Sequence, residues 1–166
     1  MEESLNRFKE RWEELGIESR KSEMVGKAGI RKFHKESETP NFLGLSISKT
    51  CLACLDIDNI GDSIKIFTDL IDSMGIDLKD YMVEKTLHNG YHIFFRIPDA
   101  LKKRNLYGCN MNGIRYDLLY RGRVFTTPSF YKSGMYEFLY NGPFSIKSID
   151  DIKDYTDPLF QTFIKG

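Results

Sequence analysis

Two aspartates one residue apart, Asp56 and Asp58, follow the apolar run Cys51-Leu52-Ala53-Cys54-Leu55. Such a run reads as a buried β-strand, and residues two apart on a strand point to the same face. Both carboxylates are therefore aimed at one spot, where the strand meets solvent. Like charges that close raise each other's pKa unless a cation shares them. Hard oxygen ligands suit Mg²⁺ or Mn²⁺, so the pair points to a divalent metal site. The plainer alternative is two solvated acids in a turn. Two more polar groups fall at predicted strand ends, His92 and Asp117. His92 shares a strand face with Phe94 and Arg96, and nearby Gly90 lets a ligand approach the backbone closely. Taken singly, a hydrogen-bonded sheet histidine and a turn-capping aspartate explain both residues. The combination of all four is what suggests chemistry.

Cys51 and Cys54 form a C-x-x-C pair that invites a zinc reading. Residues three apart on a continuous strand face opposite ways. Only Cys109 could join them, and a four-ligand site would also need a histidine. No zinc is expected; the thiols read as small strand hydrophobes. Their odd number also argues against a complete disulfide framework.

The elements that must position these groups are legible in outline. Leu5, Phe8, Trp12 and Leu15 recur at helical spacing and Gly16 follows them, which predicts an amphipathic helix with a glycine stop. The charged stretch from there to Pro40, with Gly26 and Gly29, reads as loop with a short strand, and His34 within it as a surface histidine. A strand is expected over 41–47, with a polar turn over 46–50. Asp62 or Ser63 starts a helix over Ile64, Phe67, Leu70, Ile71 and Met74, ended by Gly75. Met82-Val83 and the run 91–97 read as a hairpin around His88-Asn89-Gly90, since Asn-Gly is a strong turn signal, and Pro98 ends it. Further strands are expected at 113–117, 124–127 and 136–139, and mixed helical character from Ser148. The order predicts an α+β fold, a largely antiparallel sheet with helices on one side.

The chain has 166 residues, enough for a single domain with a sizeable core. Apolar residues make up 41% and charged residues 29%, with 24 basic against 24 acidic, so any nucleic-acid surface must be local rather than a global basic field. No apolar stretch approaches the ~20 residues needed to span a bilayer. The opening Met1-Glu2-Glu3-Ser4 is acidic and runs into an amphipathic pattern, unlike a signal peptide, which gives the expectation of a cytoplasmic protein.

The ordered motifs resemble the archaeo-eukaryotic primase superfamily, specifically the primase-polymerase domain found in plasmid and viral replication proteins. Leu55-Asp56-Ile57-Asp58 is similar to its first motif, a strand ending in acid, apolar residue and acid. Asn89-Gly90-Tyr91-His92-Ile93-Phe94-Phe95 resembles the second, a histidine after glycine-rich sequence and before an apolar strand. Tyr116-Asp117, then Val124-Phe125-Thr126-Thr127-Pro128-Ser129, resembles the third. Upstream, Asn41-Phe42-Leu43-Gly44-Leu45 looks like the strand that precedes the first motif. The likeness covers about Leu5 to Pro143, with the tail over 148–166 beyond it. It departs at Ser48, near which many relatives carry glycine, and at Thr127-Pro128, where many carry two prolines.

The resemblance implies an RNA-recognition-motif-like catalytic core that adds nucleotides on a single-stranded DNA template, making or extending primers from nucleoside triphosphates. Asp56, Asp58 and Asp117 would hold two Mg²⁺ or Mn²⁺ ions. His92 would contact the incoming triphosphate, with Ser48, Lys49 and Ser129 as further phosphate contacts. Lys102 and Lys103, with Arg104, form a basic cluster for DNA. Arg121 and Arg123 share a predicted strand face beside Asp117, and Arg115 also flanks it. Tyr120, Phe130 and Tyr131 are candidates for base stacking, whereas Phe125 and Phe138 read as core. The resemblance leaves room for a helicase domain or partner, and no attached helicase domain is seen in the sequence.

Two other readings compete. A rolling-circle nuclease needs two histidines separated by one apolar residue, and His88 and His92 are four apart across a turn. A non-enzymatic single-strand binder, either an RNA-recognition sheet or an inactive primase relative, fits less well. Ile93-Phe94-Phe95-Arg96 poorly matches the RNA-recognition signature, and an inactive relative should have lost an acid.

Overall fold

The computed structural model describes residues 2–25, 32–35 and 40–166. Helix α1 (Glu2–Glu14) forms where the apolar stripe predicts it, with Leu5 and Trp12 fully buried. Gly16 ends it at φ +89°, a left-handed conformation that favours glycine. The charged stretch that follows is not loop throughout. It contains β1 (Ser19–Val25) and β2 (Lys32–Lys35). β1 is a polar strand whose place comes from its partner: it pairs antiparallel with β3 (Phe42–Ser46), Ser19 opposite Leu45 and Ser22 opposite Phe42.

Strand β4 (Leu52–Ile57) carries Asp56 and leads into α2 (Ser63–Ser73). The expected hairpin follows as β5 (Met82–Lys85) and β6 (Tyr91–Arg96). Then come β7 (Leu106–Met111), which the sequence reading did not anticipate, β8 (Ile114–Leu119) and β9 (Arg123–Thr126). A small hairpin, β10 (Phe130–Tyr131) with β11 (Gly134–Met135), precedes β12 (Glu137–Tyr140), and α3 (Pro158–Lys165) closes the chain. Six strands form one sheet in the order β12-β5-β6-β4-β8-β7, every neighbouring pair antiparallel. A second sheet has the order β2-β1-β3-β9. Because β6 lies between β4 and β5, the β4-α2-β5 connection is a split β-α-β unit.

Helices are not confined to one side. Alternate residues of the six-stranded sheet feed two separate cores. Ala53, Leu55 and Ile57 of β4 pack with Phe67 and Ile71 of α2 and with Leu159, Phe160 and Phe163 of α3. Leu52 and Cys54, on the opposite face, pack with Trp12 of α1 and with Leu43, Leu45 and Val124 of the second sheet. The second sheet and α1 thus cover the face that the expected helices on one side would have left open. Among the described residues, no helix is long and apolar enough to cross a membrane.

Phe95 joins β6 to α3 by stacking on Phe160 with ring centroids 4.5 Å apart, and it is fully buried. Phe95→Ala is expected to destabilise the fold by about 3–5 kcal/mol, read as a lower urea midpoint at unchanged slope.

Candidate metal centre and its buried histidine

The strand registers line up four polar side chains. Asp56 lies opposite Asp117 of β8 on one side and opposite His92 of β6 on the other. His92 in turn lies opposite Glu84 of β5. Register partners on neighbouring strands share a face, so Glu84, His92, Asp56 and Asp117 form one row across four strands. Asp58 lies just past the end of β4. Its N–H donates to the Arg115 carbonyl at 2.9 Å, which prolongs the pairing with β8 and keeps its side chain on the face of Asp56.

Asp56, Asp58 and Asp117 each offer a carboxylate oxygen, and these oxygens lie within 4.8 Å of one another. All three residues are partly exposed, at the solvent edge of the row. Burial, then the neighbouring charges of Asp56 and Asp117, push Asp58 up to about 6. Asp117 is also raised by burial, an effect opposed by an N–H from Gly108 and reinforced by Asp56. That Gly108 N–H reaches Asp117 Oδ1 at 2.7 Å. It sits where the β7–β8 register shifts between Leu106 and Cys109, with Gly108 at φ +64°. Bulges of this kind re-aim groups beside functional sites. Three converging carboxylates whose shared charge disfavours ionisation are a donor set suited to a hard divalent cation.

His92 is buried between acids. Its Nδ1 contacts Glu84 Oε2 at 2.9 Å, and its Nε2 faces Asp56 Oδ2 at 3.6 Å, an ion-pair distance. Burial opposes the charged ring, but Asp56 and Glu84 override it and push His92 up to about 10. Glu84 itself is fully buried, and the sequence reading missed it. Its only signal was an acid in the apolar strand Met82-Val83-Glu84, because the residue it serves is fixed by pairing rather than by spacing.

The other expected contacts divide. Lys49 is exposed at φ +61° in the turn before β4, and Lys103 is exposed. Ser48 is exposed, but its hydroxyl accepts the Gly122 N–H at 2.8 Å. Ser129 is fully buried, and its hydroxyl accepts from the Leu43 N–H at 2.8 Å, so it is engaged by β3. Lys102 points inward: its ammonium donates to the carbonyls of Ile47 and Leu52 at 2.8 and 2.6 Å, and burial pulls it down to about 8. It braces the β3–β4 turn from within instead of facing a DNA strand. Arg121 and Arg123 are not a strand-face pair, because β9 begins at Arg123. Arg121 precedes it and pairs with Asp99 at 3.3 Å. Arg123 is exposed and lies over Gly44, where any side chain would collide with its methylenes. Tyr120 is 1% exposed and belongs to the core, while Phe130 and Tyr131 are half-buried. Tyr107, adjacent in sequence to Gly108, is 69% exposed and is the most exposed large aromatic among the described residues. Comparison of the chain with family models, curated proteins and solved structures gives no match.

The raised position of Asp58 has a consequence for stability. A carboxyl whose folded pKa lies above its unfolded value stabilises the fold below the unfolded pKa, near 4, and that contribution is lost as pH rises through about 6. Asp58→Asn removes the charge, so without divalent cations it should stabilise the protein at about pH 8 by on the order of 1 kcal/mol, discounted for the partial exposure of Asp58, and have little effect near pH 4. Denaturation curves of both proteins at the two pH values check this; an equal effect at both would contradict it.

Proposed function

We propose that this domain is a template-dependent nucleotidyltransferase of the primase-polymerase kind, acting on single-stranded DNA with nucleoside triphosphates. The observation that carries the reading is the convergence of Asp56, Asp58 and Asp117 within 4.8 Å, with His92 in register beside them. Two Mg²⁺ or Mn²⁺ ions held by these acids would activate the attacking hydroxyl and neutralise charge on the triphosphate.

The chain's own residues supply binding and orientation. The Gly108 N–H holds one oxygen of Asp117, leaving the other for a cation. His92, with its Nε2 side turned to the acids, donates to a phosphate oxygen of the nucleotide. Exposed Lys49 offers a point charge for phosphate, and exposed Lys103 and Arg104 offer charge for a nucleic-acid backbone. Tyr107 offers a ring on which a base can stack regardless of sequence. A helicase, on the same or another chain, is the partner beside which such a domain would work.

The test is incorporation of labelled nucleotides on single-stranded DNA, primed and unprimed, with Mg²⁺ or Mn²⁺. Wild-type product that requires metal and disappears in the folded Asp56→Asn/Asp58→Asn double variant is the expected result. Undiminished product from that variant would overturn the reading. His92→Ala should chiefly weaken nucleotide affinity, and an unchanged apparent affinity would remove its phosphate role.

A further inference from the structure

Glu84 is a charged residue with no exposed surface, and a buried carboxylate is costly unless its lone pairs are filled. They are filled unequally. Oε1 accepts from the Thr126 hydroxyl, the Thr127 N–H and the Thr127 hydroxyl, each at 2.8 Å. Oε2 lies 2.9 Å from His92 Nδ1 and is the acceptor there when that nitrogen carries its hydrogen. The three donors on Oε1 come from the end of β9 and the residue after it, so the carboxylate is anchored by the second sheet while it is carried by the first. A proline at position 127 would supply neither the N–H nor the hydroxyl.

The His92 ring is bounded by Tyr136 on one side, with centroids 5.7 Å apart, and meets Phe94 edge-on at 6.0 Å. Its ring nitrogens face Glu84 at Nδ1 and Asp56 at Nε2. An acceptor anchored at Nδ1 leaves Nε2 directed at the acid cluster. The partner of one ring nitrogen determines what the other can do.

We propose that Glu84 is a positioning residue, which fixes the orientation and the Nδ1 hydrogen of His92 so that Nε2 is presented to the nucleotide bound at the acids. The phosphate contact of His92 rests on the function proposed above, but the positioning itself does not. Packing alone would not need a buried charged network here, since replacing all partners of such a network together by apolar residues of similar volume often costs no stability.

Glu84→Gln discriminates sharply between the two roles. It keeps the size of the side chain. Its amide oxygen must take the place of Oε1, because the Thr127 N–H can only donate. The amide NH₂ then faces Nδ1 and demands a lone pair there, so the hydrogen must leave Nδ1. In nitrogen-resolved NMR spectra of the metal-free protein, wild-type His92 should show a hydrogen-bonded Nδ1–H that exchanges slowly with water, and Glu84→Gln should lose it. Binding of a non-hydrolysable nucleoside triphosphate with Mn²⁺ should weaken about ten- to hundred-fold in Glu84→Gln, the usual scale for loss of a residue behind a ligating histidine. The same change in a His92→Ala background should cause no further loss. Mn²⁺ binding to the acids without nucleotide should stay close to wild type.

A retained Nδ1–H signal in Glu84→Gln overturns the proposal, and so does a full additional loss of affinity in the His92→Ala background. Absence of nucleotide binding by the wild type overturns the proposed function instead, and the ring spectrum then upholds or overturns the role of Glu84 by itself. If Glu84→Gln does not fold, Thr127→Val loosens the carboxylate from its far side. Faster exchange of the Nδ1–H is then expected, and exchange unchanged from wild type overturns the proposal.

Discussion

The pairing of β4 with β6 on one side and β8 on the other is the constraint on which the rest depends. Asp56 meets His92 across one boundary and Asp117 across the other. A strand has a side-chain period of two, so a slip of one residue at either boundary would move a whole partner set to the opposite face. The slip is prevented by the apolar residues of the same strands. Ala53, Leu55 and Ile57 must enter the core beneath α2 and α3, while Leu52 and Cys54 must enter the core shared with α1 and the second sheet. Two cores on opposite faces thus hold the register from both sides, and the polar row inherits it.

The same arrangement explains why charge accumulates at one place in a chain of zero formal net charge. Next to the row of Glu84, His92, Asp56 and Asp117 runs a row of Met82, Phe94, Cys54 and Leu119, of which the first three are buried. Along the polar row burial falls from Glu84 and His92 to the partly exposed Asp56 and Asp117. At the Glu84 end, donors from Thr126 and Thr127 satisfy the carboxylate. At the Asp117 end, one backbone N–H from the β7 bulge reaches the acid, and Asp58 lies beyond, partly exposed and raised in pKa. The gradient from fully to partly satisfied acids gives the exposed end a donor set suited to a cation, whereas the buried end is a fixed support.

Cations that stand close to the motifs in sequence have been drawn into other tasks. Lys102 and Arg121 both serve turns: Lys102 holds the carbonyls of Ile47 and Leu52 across the β3–β4 connection between the two sheets, and Arg121, itself between β8 and β9, reaches Asp99 and the Lys102 carbonyl in the β6–β7 connection. Turns at the junction of two sheets leave carbonyls without ladder partners, and a long basic side chain is a ready donor for them. Proximity in sequence to the acidic residues is therefore a poor guide to which lysine or arginine faces the cluster.

The sequence by itself determined the parts governed by local periodicity and by residue type. The α1 stripe, the α2 stripe with its Gly75 stop and the hairpin around Asn89-Gly90 follow from local spacing, and so does the shared direction of Asp56 and Asp58, which the Asp58 N–H to the Arg115 carbonyl then maintains past the end of β4. Nomination of Asp117 and His92 rested on motif order, and the fold brings both beside Asp56. Only the tertiary structure decided what depends on pairing between distant segments. β1 has no apolar alternation and is a strand because β3 offers it an edge; β7 is an exposed edge strand interrupted by a glycine bulge. Glu84 lies eight residues before His92, and neither its burial nor its hold on that ring could be read from that interval. The physical reason is common to these cases: a residue's chemistry depends on its charge, which the sequence states, and on its neighbours and solvent, which strand register and sheet packing assign.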